Sequence, residues 1–369
     1  MNHGWEKKKL GDVCTVIGGA TPNTNIPEYW NGSFNWVTPA ELHGEKYFSS
    51  SERKLTSEGA KSANLQLLPV GTVLLSSRAP IGKVAITKEP SYCNQGFKNL
   101  VCGESIYNEY LFYYLGAHTK ELQKEGSGTT FKEISKIKTE QFKILLPPLA
   151  FQHKIAIELD KLNELIELKR NQLKDLDTLA QSLFYEIFGD PNSNPNYEFK
   201  SFESISINLD SKRRPVTKSK RLSGIYAYYG ASGIVDYVDD YIFEGEYLLI
   251  SEDGANLVSR TQPIAFIAKG KTWINNHAHV IDFHNSASKI YVMFYMNILD
   301  FREKITGAAQ PKLTQKALNE IPISWPPIEL QDEFASKIEA IEKQKRLIES
   351  SIADLETLLA SRMDYWFNE

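Results

Sequence analysis

"LPPLAFQ" occupies residues 146–152 and "WPPIELQ" residues 325–331, two versions of one phrase set 179 residues apart. A repeat at so long a period means that a whole structural unit occurs twice. The segment after each Pro-Pro pair is helical in pattern. Ile155, Leu159, Leu162, Ile166, Lys169, Leu173, Leu176, Ala180, Leu183 and Ile187 step alternately by four and three, the spacing of a coiled-coil seam. The same offset gives Phe334, Ile338, Ile341, Lys345, Ile348, Ile352, Leu355, Leu359, Arg362 and Trp366. Each helix is expected to run for nearly forty residues without an internal Gly or Pro. That is roughly 55–60 Å at 1.5 Å per residue, the length of a spacer as much as of a core element. One lysine interrupts each seam, Lys169 and Lys345; it either snorkels to the surface or fixes the register of the pair.

The repeat extends upstream. "YLFYYL" at 110–115 matches "YVMFYM" at 291–296, and "GTVLLSS" from Gly71 matches "GEYLLIS" from Gly245. "CNQGF" from Cys93 loosely matches "INNHA" from Ile274, and Trp5 and Tyr197 open the two halves. The fold expected is therefore α+β: two similar globular domains and two long helices. The division reads as domain one over 1–148, a central helix over 149–189, domain two over 190–327 and a distal helix over 328–369. The first helix leaves one domain and arrives at the other. If the seams pair, the second helix runs back, so the coiled coil is antiparallel. A pseudo-two-fold, near-circular arrangement is expected: the C-terminus comes back near the N-terminus, and the open ends nearly imitate the internal Pro/Asn/Gly junction "GDPNSNPN", 189–196.

Composition bounds the function. Net charge is −4, but residues 1–148 carry +3 and residues 328–369 carry −5, so the average conceals a less acidic globular part. Three scattered cysteines, Cys14, Cys93 and Cys102, offer neither a disulfide framework nor a zinc set. The N-terminal stretch has no apolar signal region, and the longest apolar run, 290–299, is too short to span a membrane. A reducing, cytoplasmic location is expected.

Two further stretches carry a family resemblance. "GGATPNTNIPEYWNGSFNWVTPAEL" at 18–42 and "YYGASGIVDYVDDYIFEGEYLLISEDGA" at 228–255 resemble variants of the target-recognition domain of type I restriction–modification specificity subunits. The Pro-Pro helix entries resemble that family's central and distal helical regions. The resemblance covers almost the whole chain. It implies a non-catalytic subunit without cofactor that reads double-stranded DNA, one half of a bipartite target per domain. It also implies two methyltransferase subunits docked on the helices, with restriction subunits joining through that complex.

Candidate DNA contacts come from side-chain chemistry. "KRRPVTKSKR", 212–221, holds six bases and no acid: Lys212, Arg213, Arg214, Lys218, Lys220 and Arg221. Pro215 excludes a central strand there, so a phosphate-contacting loop is expected. In the first half, Gly18 and Gly19 permit close backbone approach, and Thr21, Asn23 and Thr24 can bond phosphates or base edges. That loop has no positive charge of its own. "SSRAPIGKVAI", 76–86, reads as strand, turn, strand, with Arg78 and Lys83 beside the turn. "NQGFK" at 94–98 offers Gln95 and Lys98, as base readers or as turn-formers. On the helices, Leu165, Leu168 and Leu347 lie off the seam near the middle and are the expected partner contacts; Phe184 also lies off the seam, near a helix end. "NNHAHVIDFH", 275–284, invites a metal reading through His277, His279, Asp282 and His284, but without cysteines none is expected. Asp253-Gly254 reads as a hairpin turn. The rival class is a coiled-coil adaptor without DNA specificity. It accounts for the helices and not for two elaborate domains. Methyltransferase and ATPase motifs are both missing from the sequence.

Overall fold

The computed structural model describes residues 4–78, 80–128, 132–193, 197–307 and 309–368; part of the 189–196 junction and Ala79 of the 76–86 turn lie outside them. The chain forms two compact units, one made of residues 1–169 and 351–369 and the other of 170–350. Each unit thus combines one globular part with segments of both long helices, Leu149–Phe188 and Ile328–Phe367.

In the first unit a five-stranded sheet is ordered Cys14–Gly18, Lys98–Cys102, Val73–Leu75, Val84–Thr87, Tyr47–Phe48. A three-stranded sheet, Lys54–Leu55, Trp30–Val37 and Ser91–Cys93, adjoins it. In the second unit one six-stranded sheet runs Ile207–Asn208, Ala278–Asp282, Phe243–Ser251, Ala265–Ile274, Ser223–Gly230, Gly233–Val238. The turn at 76–86 does join antiparallel strands, since Val73 pairs with Ile86. Asp253-Gly254 does not make a hairpin. Gly254 sits at φ 110, and the chain passes into the short helix Asn256–Ser259 before the next strand begins.

The repeated Pro-Pro phrase has a physical explanation. In each unit a short strand leads into the Pro-Pro pair, and a terminal strand holds it: Glu6–Lys9 pairs with Lys143–Leu146, and Phe199–Ser201 with Pro322–Ser324. A buried tyrosine clamps that strand from the helix behind. Tyr110 Oη donates to the Leu145 carbonyl at 2.8 Å, and Tyr291 Oη donates to the Ser324 carbonyl. The prolines cannot extend the ladder and suit a helix start instead. The glutamine then ties the start down. Gln152 is fully buried; its amide donates to the carbonyls of Ser105 (3.0 Å) and Pro147 (2.8 Å), and its Oε1 accepts the Tyr107 N–H at 2.7 Å. Gln331, equally buried, donates to the Pro326 carbonyl and accepts from Ser288 Oγ. A buried amide satisfied at both ends fixes the direction in which each long helix leaves.

The seam residues pack within each unit. In the first, Ile155, Leu159, Leu162 and Ile166 are buried, and Trp366 and Phe367 join Ile155 and Leu159 in the core. Glu158 accepts from the Arg362 guanidinium and from the Trp366 indole N–H. In the second, Lys345 is not a free seam charge: its Nζ lies 2.8 Å from Asp177 and 3.0 Å from Glu342. The seam also shifts near the end of the first helix. Phe184, off the expected seam, is fully buried and stacks against Tyr291 and Phe294 and edge-on to Phe334. An aromatic ring buries more apolar surface than its leucine neighbour and adds ring–ring contacts worth about 0.5–1.5 kcal/mol beyond that area, so packing turns Phe184 inward and leaves Leu183 at the margin. Among the described residues, no helix is long and apolar enough to cross a membrane.

Candidate nucleic-acid interface

Three loops of the first unit converge at one end of its sheet. The 18–25 loop passes close to residues 93–94; the Ala20 N–H donates to the Cys93 carbonyl at 3.0 Å. Only glycine fits at 19, because a Cβ there would lie 2.0 Å from the Asn94 carbonyl oxygen. Two indoles hold the loop from below: Trp36 Nε1 donates to the Ala20 carbonyl and Trp30 Nε1 to the Asn23 carbonyl. Thr21 Oγ1 donates to Gln95 Oε1, so those two candidates meet. The Ser77 N–H donates to the Gly96 carbonyl at 2.7 Å, which brings the Arg78 loop alongside. Thr21, Asn23, Thr24 and Gln95 are exposed.

The cations of that unit are partly committed. Lys98 Nζ lies 3.0 Å from Glu133 and 3.2 Å from Ser77 Oγ, and its side chain is 12% exposed. Lys83 Nζ donates to the Pro39 carbonyl. Arg78 makes a looser pair with Glu133, 3.8 Å, and stays 36% exposed. It is the reachable one of the three.

The second unit builds the same junction with different chemistry. Ile134 N–H donates to the Ser77 carbonyl in the first unit, and Leu313 N–H donates to the Glu252 carbonyl in the second. Ser77 N–H to Gly96 is matched by Glu252 N–H to His277. Glu133 pairs with Arg78 in a bridge where Lys312 pairs with Asp253. The 179-residue offset places Lys312 against Glu133, so the sequence held this correspondence. What it did not show is the ion network on it. Arg213 Nη1 lies 2.6 Å from Glu252 and its Nη2 3.3 Å from Asp210; Lys312 Nζ lies 3.0 Å from Glu252. His279, fully buried, sets Nδ1 2.6 Å from Asp210 and Nε2 2.8 Å from the Leu313 carbonyl. Burial pushes the Asp210 carboxyl up, but the His279 hydrogen bond and charge, the Val280 N–H and Arg213 outweigh it and hold it below its ordinary range. Glu252 is likewise opposed by burial and held low by Arg213 and Lys312.

Asp210, Glu252 and His279 present ligand atoms within 4.8 Å of one another, a spacing a metal ion could use. Two cations, Arg213 and Lys312, already neutralise that cluster. The other members of the 275–284 stretch separate: His277 pairs with Asp253, and Asp282 with Lys289.

The basic loop therefore divides its labour. It leaves the strand Ile207–Asn208, which pairs with Ala278–Asp282, just as the 18–25 loop leaves Cys14–Gly18 paired with Lys98–Cys102. Two of its six bases turn inward. Arg213 is in the ion network, and Arg221 packs over the Tyr228 ring at 4.1 Å, pairs with Asp236 at 3.1 Å and donates to the Val216 carbonyl. Trp273 Nε1 donates to the Arg214 carbonyl at 2.7 Å. With the loop so pinned, Lys212, Arg214, Lys218 and Lys220 are exposed. On the helices, Leu165, Leu168 and Leu347 are 45%, 59% and 65% exposed.

Comparison with known proteins bears on this geometry. A family described as the type I restriction modification DNA specificity domain matches residues 2–178 and again 196–357. The chain is 39% identical over 199 residues to the specificity subunit of the type I restriction enzyme MjaIX of Methanocaldococcus jannaschii, an alignment covering 53% of this chain and 46% of that protein. It therefore spans about half the length of that relative. It is 25% identical over 355 residues to the EcoprrI specificity subunit of Escherichia coli, covering 87% of this chain and 84% of the other. Its fold is similar to that of a chain from a solved structure titled for the assembly and conformational transition of the type I R-M system, with a TM-score of 0.63, 18% identity and coverage of 98% and 96%. With two matches that together take in nearly all of its residues, the chain belongs to the family of type I restriction modification DNA specificity domains.

Proposed function

We propose that this chain is the sequence-reading subunit of a type I restriction–modification complex. Residues 1–148 and 190–327 each read one half of a bipartite duplex target. The helices over 149–189 and 328–369 pair as an antiparallel coiled coil, giving the near-circular, pseudo-two-fold arrangement expected above. They act as spacer and as docking platform for two methyltransferase subunits, through which restriction subunits join. The complex works in the cytoplasm, and this chain contributes no catalysis of its own. The observation that supports the reading best is the shared loop junction. One backbone framework carries Arg78, Lys98 and Glu133 in the first unit and Arg213, Glu252, His279 and Lys312 in the second. Two readers built alike but charged differently suit two different half-sites.

The phosphate contacts are assigned to Lys212, Arg214, Lys218 and Lys220. Neutralising all four should weaken duplex binding across sequences and flatten its salt dependence, by about 0.9 in log–log slope for each phosphate no longer neutralised. Binding isotherms at several salt concentrations test this. An altered half-site preference at unchanged affinity would make the loop a base reader instead.

The mid-helix leucines are assigned to the partner. Leu165→Glu, Leu168→Glu and Leu347→Glu combined should abolish co-purification with the methyltransferase while the circular dichroism spectrum stays that of the parent, because exposed positions tolerate charge. Undiminished co-purification would move the docking surface elsewhere.

A further inference from the structure

We propose that Arg53 is a base-reading residue of the first unit, presenting a fixed guanidinium fork to the major-groove edge of a guanine. This rests on the DNA-reading function proposed above and adds a residue that the sequence had not singled out.

Arg53 is exposed, yet its guanidinium is held in place. Its Cζ lies 3.6 Å from the ring centroid of Trp30 and 5.3 Å from that of Trp36. Those two indoles are themselves buried and locked edge to face, with centroids 5.0 Å apart. The Arg53 backbone is fixed as well: its carbonyl accepts the Trp36 N–H and the Ser51 hydroxyl. Among the described residues the guanidinium makes no hydrogen bond and no ion pair. Lys83, Lys98, Arg213 and Arg221 all spend their charge inside the protein. Lys54, next in sequence, commits its ammonium to Asn35 and Ser50.

The position supplies what the first unit lacked. The tryptophans under Arg53 are the same two whose indole N–H groups hold the Ala20 and Asn23 carbonyls. Through those two indoles the guanidinium is tied to the 18–25 loop, which has no cation of its own and carries Thr21 with its partner Gln95. Sequence reading missed it because Arg53 lies outside that loop in the chain. Only the folding of Trp30–Val37 against Lys54–Leu55 brings the two together.

The chemistry favours a base over a phosphate. A phosphate is served by any mobile cation. A planar fork whose rotation is already restricted by an aromatic face loses little entropy on binding, and its parallel N–H groups match a two-acceptor edge. On a duplex, guanine O6 and N7 form that edge, and arginine is its commonest partner.

The test is selection of bound sequences from a random duplex library by the full chain, by Arg53→Ala and by Arg53→Lys. Binding of the selected duplex is then measured at several salt concentrations, and thermal melting is followed by the tryptophan near-ultraviolet signal. The parent should enrich a motif containing a G·C pair that both variants leave degenerate, with a loss of roughly ten- to hundredfold in preference at that position alone. The lysine variant should fail like the alanine one, because charge without the fork does not read the edge. Three results overturn the proposal. Preference retained by lysine, with equal weakening of all sequences by alanine, makes Arg53 a phosphate contact. Unchanged preference in both variants with a lowered melting temperature makes it a cover for the tryptophans. A parent chain that enriches no sequence refutes the DNA-reading function itself, and the Arg53 assignment with it.

Discussion

Replacing Arg213 with methionine should destabilise the second unit by about 3–5 kcal/mol, as removal of one partner from a buried ion pair does. The side chains concerned are 13% exposed for Arg213, 6% for Asp210 and 12% for Glu252. The substitution leaves two carboxylates facing each other through a partly emptied site. Lys312 and His279 remain, so the lower part of the range is expected. Denaturant unfolding followed at Trp273 and Trp325 reports this unit. Lys220→Met, a neighbouring but exposed change, should stay within about 0.5 kcal/mol. The pH dependence carries the same signature. Both carboxyls are held below their ordinary values of 3.8 and 4.5. Groups with depressed folded pKa stabilise the protein fully above their ordinary values and lose that contribution as pH falls through the folded ones. The parent should therefore weaken on acidification below about pH 4.5. Its margin over Arg213→Met should narrow over the same interval, because protonated carboxyls no longer need the guanidinium. Parent and variant unfolding together at neutral pH would show that the network does not carry this stability.

Extending both long helices by four residues should change the DNA target without changing either half-site. The extended variant carries one additional helical turn after Lys169 and a matching turn after Ser350, in the described helical spans Leu149–Phe188 and Ile328–Phe367. Four residues add roughly 6 Å along a helix. If the paired helices set the distance between readers, as proposed above, the unspecified gap should lengthen by one or two base pairs, each about 3.4 Å. The loops assigned to DNA are untouched, so the two specified sequences persist. Sequencing of methylated sites in cells carrying the extended chain and its methyltransferase decides it. Full activity at the original gap would remove the helices from the role of spacer, and a new half-site sequence would mean that the readers are not independent.

The sequence by itself determined the parts of this protein that depend on local order. The Pro-Pro-x-x-x-Gln phrase and the seam behind it required only periodicity, and both long helices arise from it. The repeat of "YLFYYL" as "YVMFYM" placed Tyr110 and Tyr291 in matching positions, where each now clamps the strand before its prolines. The resemblance of 18–42 and 228–255 led to the family to which the chain belongs. Tertiary structure decided what depends on meetings across long stretches of chain. Whether Phe184 or Leu183 faces inward turns on ring packing against Tyr291, Phe294 and Phe334, which period alone does not weigh. Which bases in 212–221 are available depends on acids 39 residues away for Arg213 and 15 for Arg221. His279 became part of an ion network because Asp210, 69 residues earlier, folds onto it. Arg53 acquired its setting only when two tryptophans packed beneath it. A charged side chain's function depends on its partners, and those partners are brought to it by the fold.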